Sequence, residues 1–320
     1  MASSDVPNKK QGKNRNDNVK RHAYLILAHT DVAQLKCLLA AIDDERNDIY
    51  IHLDSKWKDV SIPSLENYVK KSGIFFIKRI HAAWGGSSLI QAELNLITKA
   101  YHKGEYSFYH LLSGQDLPVK SQDFIHDFFD RHPNECFLQP GKWEINSRFR
   151  MRYEQYHFLQ NKLIGKKRNF WKYIEFAFCY IQKFLGIRRF KNVKIRAAYQ
   201  WFSLPENAVS YLAQNAKTIS RNWRFTYCCD ELFVPTELNR GGFTDTFSSL
   251  GGLRFIEWQK QGPRDISPRY LNMGDDWIIE NPQIMFARKF REKESNKLIE
   301  ELSSNWERHE AADTLSRSLE

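Results

Sequence analysis

Between residues 23 and 138, short apolar runs alternate with amphipathic ones, and few folds tolerate that alternation. Ala23-Tyr-Leu-Ile-Leu-Ala28 has no polar face and is too short for a buried helix, so it reads as a strand covered on both sides. It leads to His29. Thr30 or Asp31 then caps a helix with Val32, Leu35, Leu38, Leu39 and Ile42 on one face, and a second strand over 48–53 ends at Asp54. Strand, helix and strand within about thirty residues make a βαβ unit, and sheets built from such units bind ligands beyond the carboxyl ends of their strands. His29 and Asp54 both lie there. A strand over 74–77, the turn Ala82-Ala-Trp-Gly-Gly86 and a helix over 87–101 follow. The glycines either make a turn or let a ligand approach the backbone at a helix N-terminus that favours anions. A strand over 107–112, the stretch Ser113-Gly-Gln-Asp-Leu-Pro-Val-Lys120, a helix capped by Ser121 and a strand over 136–138 complete an α/β pattern with a largely parallel sheet.

From residue 141 the composition shifts. Residues 142–196 are rich in cations and aromatics, among them Arg148, Arg150, Arg152, Lys166, Lys167, Arg168, Arg188 and Arg189, with an apolar segment over 169–185. The formal charge of +10 calls for an anionic partner. Residues 166–189 fit an interfacial helix on an anionic membrane, and equally a core helix with solvated basic ends. Nucleic acid is not expected, because no RRM, KH or helix-turn-helix pattern accompanies the charge. Five cysteines without a CxxC pair argue against a disulfide framework or a zinc site and for a reducing compartment. The first twenty-one residues are polar and basic with no apolar signal core, and no eighteen apolar residues run together, so neither a secretory signal nor a membrane span is expected.

A strand over 199–204 and a helix over 206–214 precede the most chemically suggestive stretch, Tyr227-Cys-Cys-Asp-Glu-Leu-Phe-Val-Pro-Thr236. Adjacent carboxylates Asp230 and Glu231, set between aromatic and aliphatic runs, suit proton transfer if desolvated. They equally suit a helix start, with Asp230 as cap and Glu231 in the first turn. Beyond them come a loop over 262–269, a helix over 275–279 and Met285-Phe-Ala-Arg-Lys-Phe290.

Seven stretches, in this order, resemble the core-2/I-branching N-acetylglucosaminyltransferases and the related peptide O-xylosyltransferases. They are Ala23-Tyr-Leu-Ile-Leu-Ala-His29, Ile51-His-Leu-Asp54, Ala83-Trp-Gly-Gly86, Leu112-Ser-Gly-Gln-Asp-Leu-Pro-Val-Lys120, Gln200-Trp-Phe-Ser203, Asp230-Glu231 and Phe286-Ala-Arg-Lys-Phe290. Trp-Gly-Gly and Phe-Ala-Arg-Lys-Phe are more similar to the xylosyltransferase arm. The resemblance implies a GT-A-type α/β fold in one domain over 22–304. A Rossmann-like nucleotide-binding half (22–140) would join an acceptor and catalytic half (141–304), between a disordered basic tail (1–21) and a polar tail (305–320).

It further implies an inverting, metal-independent transfer of xylose or N-acetylglucosamine from a UDP-sugar to a hydroxyl of a glycan, glycolipid precursor or peptide serine, with no cofactor. The chain contains no Asp-x-Asp triplet, the usual metal-holding element of that fold. Arg288 and Lys289 would instead neutralise the leaving UDP. Glu231 matches the family's base, with Asp230 orienting it or contacting sugar hydroxyls and raising its pKa by repulsion. Position by position, Asp54, Ala28 and His29 would form the uridine pocket. Ala83, Trp84 and Gly85 would pack beside the nucleotide or sugar, and Asp116 would reach the sugar or cap its turn. Ser267 would lie near the diphosphate, where Arg264 or Arg269 would assist Arg288. Gln200 and Trp201 would face the acceptor, although Ala197-Ala198 stands where a glycine is expected. Animal members carry a membrane anchor and disulfides, so this chain is expected to be a bacterial-type member, cytoplasmic and peripheral on the inner membrane. A non-catalytic module of the same fold is the alternative, and retention of Glu231, Arg288 and Lys289 together speaks against it.

Overall fold

The structure is a computed structural model that describes residues 20–317 except 142, 144, 167, 168, 263 and 264. The basic tail over 1–19 and Arg264 therefore lie outside the described residues. The chain opens with β1 (His22–Ala28), α1 (Val32–Ala41), β2 (Asn47–Leu53), α2 (Ile62–Glu66), β3 (Gly73–Phe76) and α3 (Ser87–Tyr101). It continues with β4 (Phe108–Ser113), β5 (Asp116–Pro118), α4 (Gln122–Asp130) and β6 (Phe137–Pro140). After β6 come α5 (Ser147–Glu154), α6 (Phe170–Phe184), β7 (Ala198–Pro205), α7 (Glu206–Gln214), α8 (Ala216–Trp223) and α9 (Phe233–Arg240). The chain closes with β8 (Arg254–Ile256), β9 (Trp258–Gly262), β10 (Asp265–Pro268), β11 (Phe286–Arg288) and α10 (Glu292–Arg317).

The central sheet runs β3-β2-β1-β4-β7-β6. The first four strands are mutually parallel, and β7 and β6 extend the sheet in antiparallel fashion. Every residue of β1 is buried, which is what a central strand covered on both faces requires. Its alternation splits the core: Tyr24, Ile26 and Ala28 pack towards α1, α4 and α10, while Ala23, Leu25 and Leu27 pack towards α3, α7 and α9. The result is a three-layer α/β sandwich, as the alternation of runs predicts.

Local signals mostly hold. Asp31 caps α1 by accepting from the Gln34 N–H (3.1 Å), and Ser121 caps α4. Three readings are corrected. The stretch over 262–269 is the β9–β10 hairpin rather than a loop. The expected helix at 275–279 is a 3₁₀ turn, Met273–Ile278, held by a capping box between Asn272 and Asp275. Asp230 is not a helix cap: α9 starts at Phe233 and has no side-chain cap, so the acidic pair sits in the turn before it. At the far end α10 continues through the polar stretch to Arg317, and Trp306 packs against the core.

Candidate active site

The carboxyl ends of β1, β2 and β4 bring Ala28-His29, Asp54 and the Ser113–Asp116 turn to one edge of the sheet. Asp54 is 7% exposed, and its oxygens accept from the backbone N–H groups of Lys56 (2.8 Å) and Ala82 (3.0 Å). It thus ties the turn after β2 to the start of the Ala-Trp-Gly-Gly loop. Gly85 in that loop has φ +67°, and a Cβ there would meet the Cys228 Sγ at 2.8 Å. A Cβ on Gly86 would lie 2.1 Å from the Asn161 Oδ1. The Cys228 N–H donates to the Gly85 carbonyl (2.8 Å), and Gly86 bridges to Tyr227. Gly85 is therefore needed for close packing against the segment that carries Asp230 and Glu231, and Gly86 for close packing against Asn161. At the α3 N-terminus the Ser88 N–H donates to the Asn161 Oδ1. Ala83 is buried, while the Trp84 ring is 47% exposed and meets Tyr227 edge-on at 6.4 Å.

Glu231 is held from two sides. Its carbonyl accepts from the Ala198 N–H at the start of β7 (3.0 Å), and its Oε2 pairs with the Arg152 Nη2 at 2.7 Å. Arg152 also donates to the carbonyls of Tyr227 and Cys228, so one guanidinium gathers the whole turn. The Glu231 Oε1 takes no hydrogen bond from the described residues, so its lone pairs are open. Burial pushes the Asp230 carboxyl up to about 7, with the neighbouring Glu231 charge adding to the rise and Arg152 opposing it. The repulsion expected to act on Glu231 is thus met by a counter-cation.

A third carboxylate lies behind this pair. Glu93 on α3 is fully buried, accepts from the Gln200 Nε2 at 2.7 Å, and is driven well above its ordinary range by burial and then by Asp230. Gln200 therefore faces Glu93. One residue along β7, Trp201 points to the other face, where the Arg288 guanidinium stacks on its ring at 4.5 Å.

Arg288 lies opposite Asp116 in the β5–β11 ladder, and the two pair at 2.6 Å. Asp116 is 3% exposed in its side chain and also accepts from the Ser113 N–H, so both oxygens are engaged and it positions Arg288 while capping its own turn. Next in sequence, Lys289 lies over the Tyr270 ring at 4.9 Å, and burial followed by the Arg288 charge lowers its ammonium to about 8. Desolvation in the cleft, then Arg288 and Lys289, also lower the His29 imidazole, although that side chain keeps a solvent-exposed edge. The Arg288 charge thus acts against the Lys289 ammonium, and both act against a protonated His29, so an anion bound here would relieve the site. Arg269 is committed elsewhere, in a two-pronged pair with Asp275. Ser267 lies in β10 opposite Gln259.

The family model of the core-2/I-branching enzymes matches residues 22–276. The chain belongs to the core-2/I-branching enzyme family. Among similar proteins, Xylosyltransferase 1 of Rattus norvegicus is 21% identical over 321 residues, covering 90% of this chain and 35% of that protein. A probable beta-1,3-galactosyl-O-glycosyl-glycoprotein beta-1,6-N-acetylglucosaminyltransferase 7 of Sus scrofa is 30% identical over 122 residues, covering 37% of this chain and 28% of that protein. Beta-glucuronosyltransferase GlcAT14A of Arabidopsis thaliana is 22% identical over 289 residues, covering 86% and 62%. The chain thus spans about a third of the rat protein's length and less than two thirds of each of the others.

Of the site's residues, sequence reasoning missed Arg152 and Glu93. Arg152 was visible only as one of many cations, 79 residues from its partner, and Glu93 only as an acid on an otherwise apolar helix face. An acid among Ile90, Leu94 and Ile97 was the one available signal.

Proposed function

We propose that the chain is a UDP-sugar-dependent glycosyltransferase that inverts configuration without a metal, moving xylose or N-acetylglucosamine in β linkage onto a glycan, glycolipid or peptide hydroxyl. The observation that carries this reading is that β7 acts as a common ruler. Its residue Ala198 bonds the Glu231 backbone and its residue Trp201 stacks on Arg288. Three residues of strand separate the contacts, roughly 10 Å. Neighbouring stretches of one strand thus hold the Glu231 turn and Arg288, which supports their acting on one donor sugar.

In this reading the Glu231 Oε1 accepts the proton of the acceptor hydroxyl as its oxygen attacks the anomeric carbon. The bond from that carbon to the diphosphate breaks, and its electron pair leaves on UDP, where Arg288 and Lys289 stabilise the growing charge. Asp230, raised to about 7, is a neutral or shared-proton neighbour that suits a hydrogen bond to a sugar hydroxyl. The five cysteines are free, which supports action in a reducing compartment, and we assign the reaction to the cytoplasmic side of a membrane. Among the described residues no helix is long and apolar enough to cross a membrane.

The test is UDP release across a panel of UDP-sugars with and without EDTA. Release from UDP-xylose or UDP-N-acetylglucosamine that EDTA leaves intact is expected, and loss with EDTA overturns the metal-independent step. Glu231→Gln should lower turnover by roughly 10² to 10⁴ while UDP binding by calorimetry is retained. Unchanged turnover removes Glu231 as the base.

A further inference from the structure

Helix α6 faces the wrong way for a helix of a water-soluble surface. Its inward residues are Glu175, Cys179 and Gln182, all less than 5% exposed. Glu175 accepts from the Leu159 N–H, and Gln182 exchanges two hydrogen bonds with the Tyr156 backbone (2.8 and 2.9 Å). The polar side of the helix thus anchors the 155–160 loop, and the apolar side is turned outward. Phe170, Tyr173, Ile181, Phe184 and Leu185 are 70%, 68%, 53%, 90% and 64% exposed. A contiguous apolar face of this kind marks a docking surface.

The charge around it indicates what docks. Between residues 155 and 205 the chain has eleven Lys or Arg and a single acid, Glu175, which is the buried one. The net +10 of this segment equals that of the entire chain, so the rest is neutral overall. Lys162, Lys166, Lys183, Lys191 and Lys194 are solvent-exposed. At 15 residues α6 is too short to span a bilayer, and apolar outside with a cationic rim is the pattern of a helix lying in an anionic headgroup layer.

Behind α6, between it and α5, lies a cavity of about 790 Å³. Tyr173 and Tyr180 line it and are also exposed, while Tyr227 and Arg152, the partner of Glu231, line it as well. Arg148, Lys172 and Lys183 make it cationic.

We propose that α6 docks in the surface of an anionic bilayer and that this places the cavity to receive an acceptor glycan carried on a lipid. The docking stands on α6 alone; the acceptor class rests on the transferase reading given above. A phosphate or uronate on the lipid-borne glycan would meet the cavity cations while its acceptor hydroxyl reaches Glu231.

The test uses the full chain with phosphatidylcholine vesicles with and without phosphatidylglycerol. Co-sedimentation with the anionic vesicles is expected, together with faster UDP release from the UDP-sugar when the acceptor is a lipid-linked oligosaccharide in those vesicles than when it is the same glycan in free form. The variant Ile181→Asp/Phe184→Asp changes two side chains that line neither the cavity nor the site. It should lower vesicle partition on the order of 100-fold, leaving thermal unfolding and acceptor-independent UDP release unchanged. Lys191→Gln should lower partition roughly fivefold. Absence of pelleting, equal pelleting on neutral vesicles, or an unchanged double variant overturns the docking. So does a soluble dimer that the double variant dissociates, since a second copy would then cover α6. If docking holds but free and vesicle-borne glycans react equally, the acceptor assignment fails. If no UDP-sugar is turned over in any format, the transferase reading fails while docking stands.

Discussion

Replacing Arg152 with Gln should disable the site without touching any atom that meets the donor. In the structure its guanidinium pairs with the Glu231 Oε2 at 2.7 Å and donates to two backbone carbonyls of the same turn. A charge-assisted hydrogen bond at a partly buried site contributes about 1.5–3 kcal/mol, and both partners here keep some exposure, 14% and 26%, so the lower half of that range applies to stability. The larger effect falls on rate. A base released from its anchor by about 1 Å costs about 10²-fold in turnover. Arg152 also opposes the rise of the Asp230 carboxyl, which already stands at about 7, so its loss moves that carboxyl higher still. The acidic pair then holds a proton to higher pH, and the acid limb of the kcat/KM profile should shift upwards, with the defect smallest in alkali. The assay is UDP release against pH for the wild type, Arg152→Gln and Arg152→Lys. Lysine restores charge but not the fork, so it should recover the pH limb more fully than the rate. A uniform loss across pH with a lowered melting temperature would show a merely structural role, and unchanged kinetics would refute the assignment.

Three further outcomes follow from the same contacts. Arg288→Ala should reduce kcat by about 10²- to 10³-fold and destabilise the fold, because it leaves the buried Asp116 carboxylate unpaired; adding Asp116→Asn should restore the melting temperature but not the activity. Gly85→Ala forces a Cβ at φ +67° to within 2.8 Å of the Cys228 Sγ, which should cost about 1–3 kcal/mol and displace the Glu231 turn, seen together in denaturant unfolding and UDP release. Finally, His22, His110 and His126 are mutually packed in the core, and burial holds all three imidazoles low, His126 at about 3. They stay neutral in the fold while the unfolded chain takes up protons below about 6.5, so their contribution to stability is complete above that pH. It should fall with acidification, by about 1.4 kcal/mol per pH unit for each histidine, in denaturant midpoints measured between pH 7 and 4. A flat profile there would mean the imidazoles protonate within the fold.

Much of the scaffold was legible residue by residue. β1 and the α1 face were readable because an apolar run with no polar side has one place to go, the middle of a covered sheet. Asp31 and Ser121 were readable as caps because capping is a contact over three residues. The acidic pair was legible as a candidate, though its cap reading failed: α9 begins two residues after Glu231, a boundary that the packing of Leu232 and Phe233 into the core imposes.

What local order determined, then, was the strand and helix set, the charge distribution and the nomination of Glu231, Arg288 and Lys289. Tertiary structure alone decided three things. It assigned Arg152 to Glu231 and Asp116 to Arg288, pairings across 79 and 172 residues that leave no trace in spacing. It turned Gln200 and Trp201 to opposite faces of β7, towards Glu93 and Arg288. And it settled the direction of α6, whose periodicity separates a polar from an apolar side without saying which is buried. The 155–160 loop settles it: its backbone groups, once folded inward, require the polar partners that Glu175 and Gln182 supply.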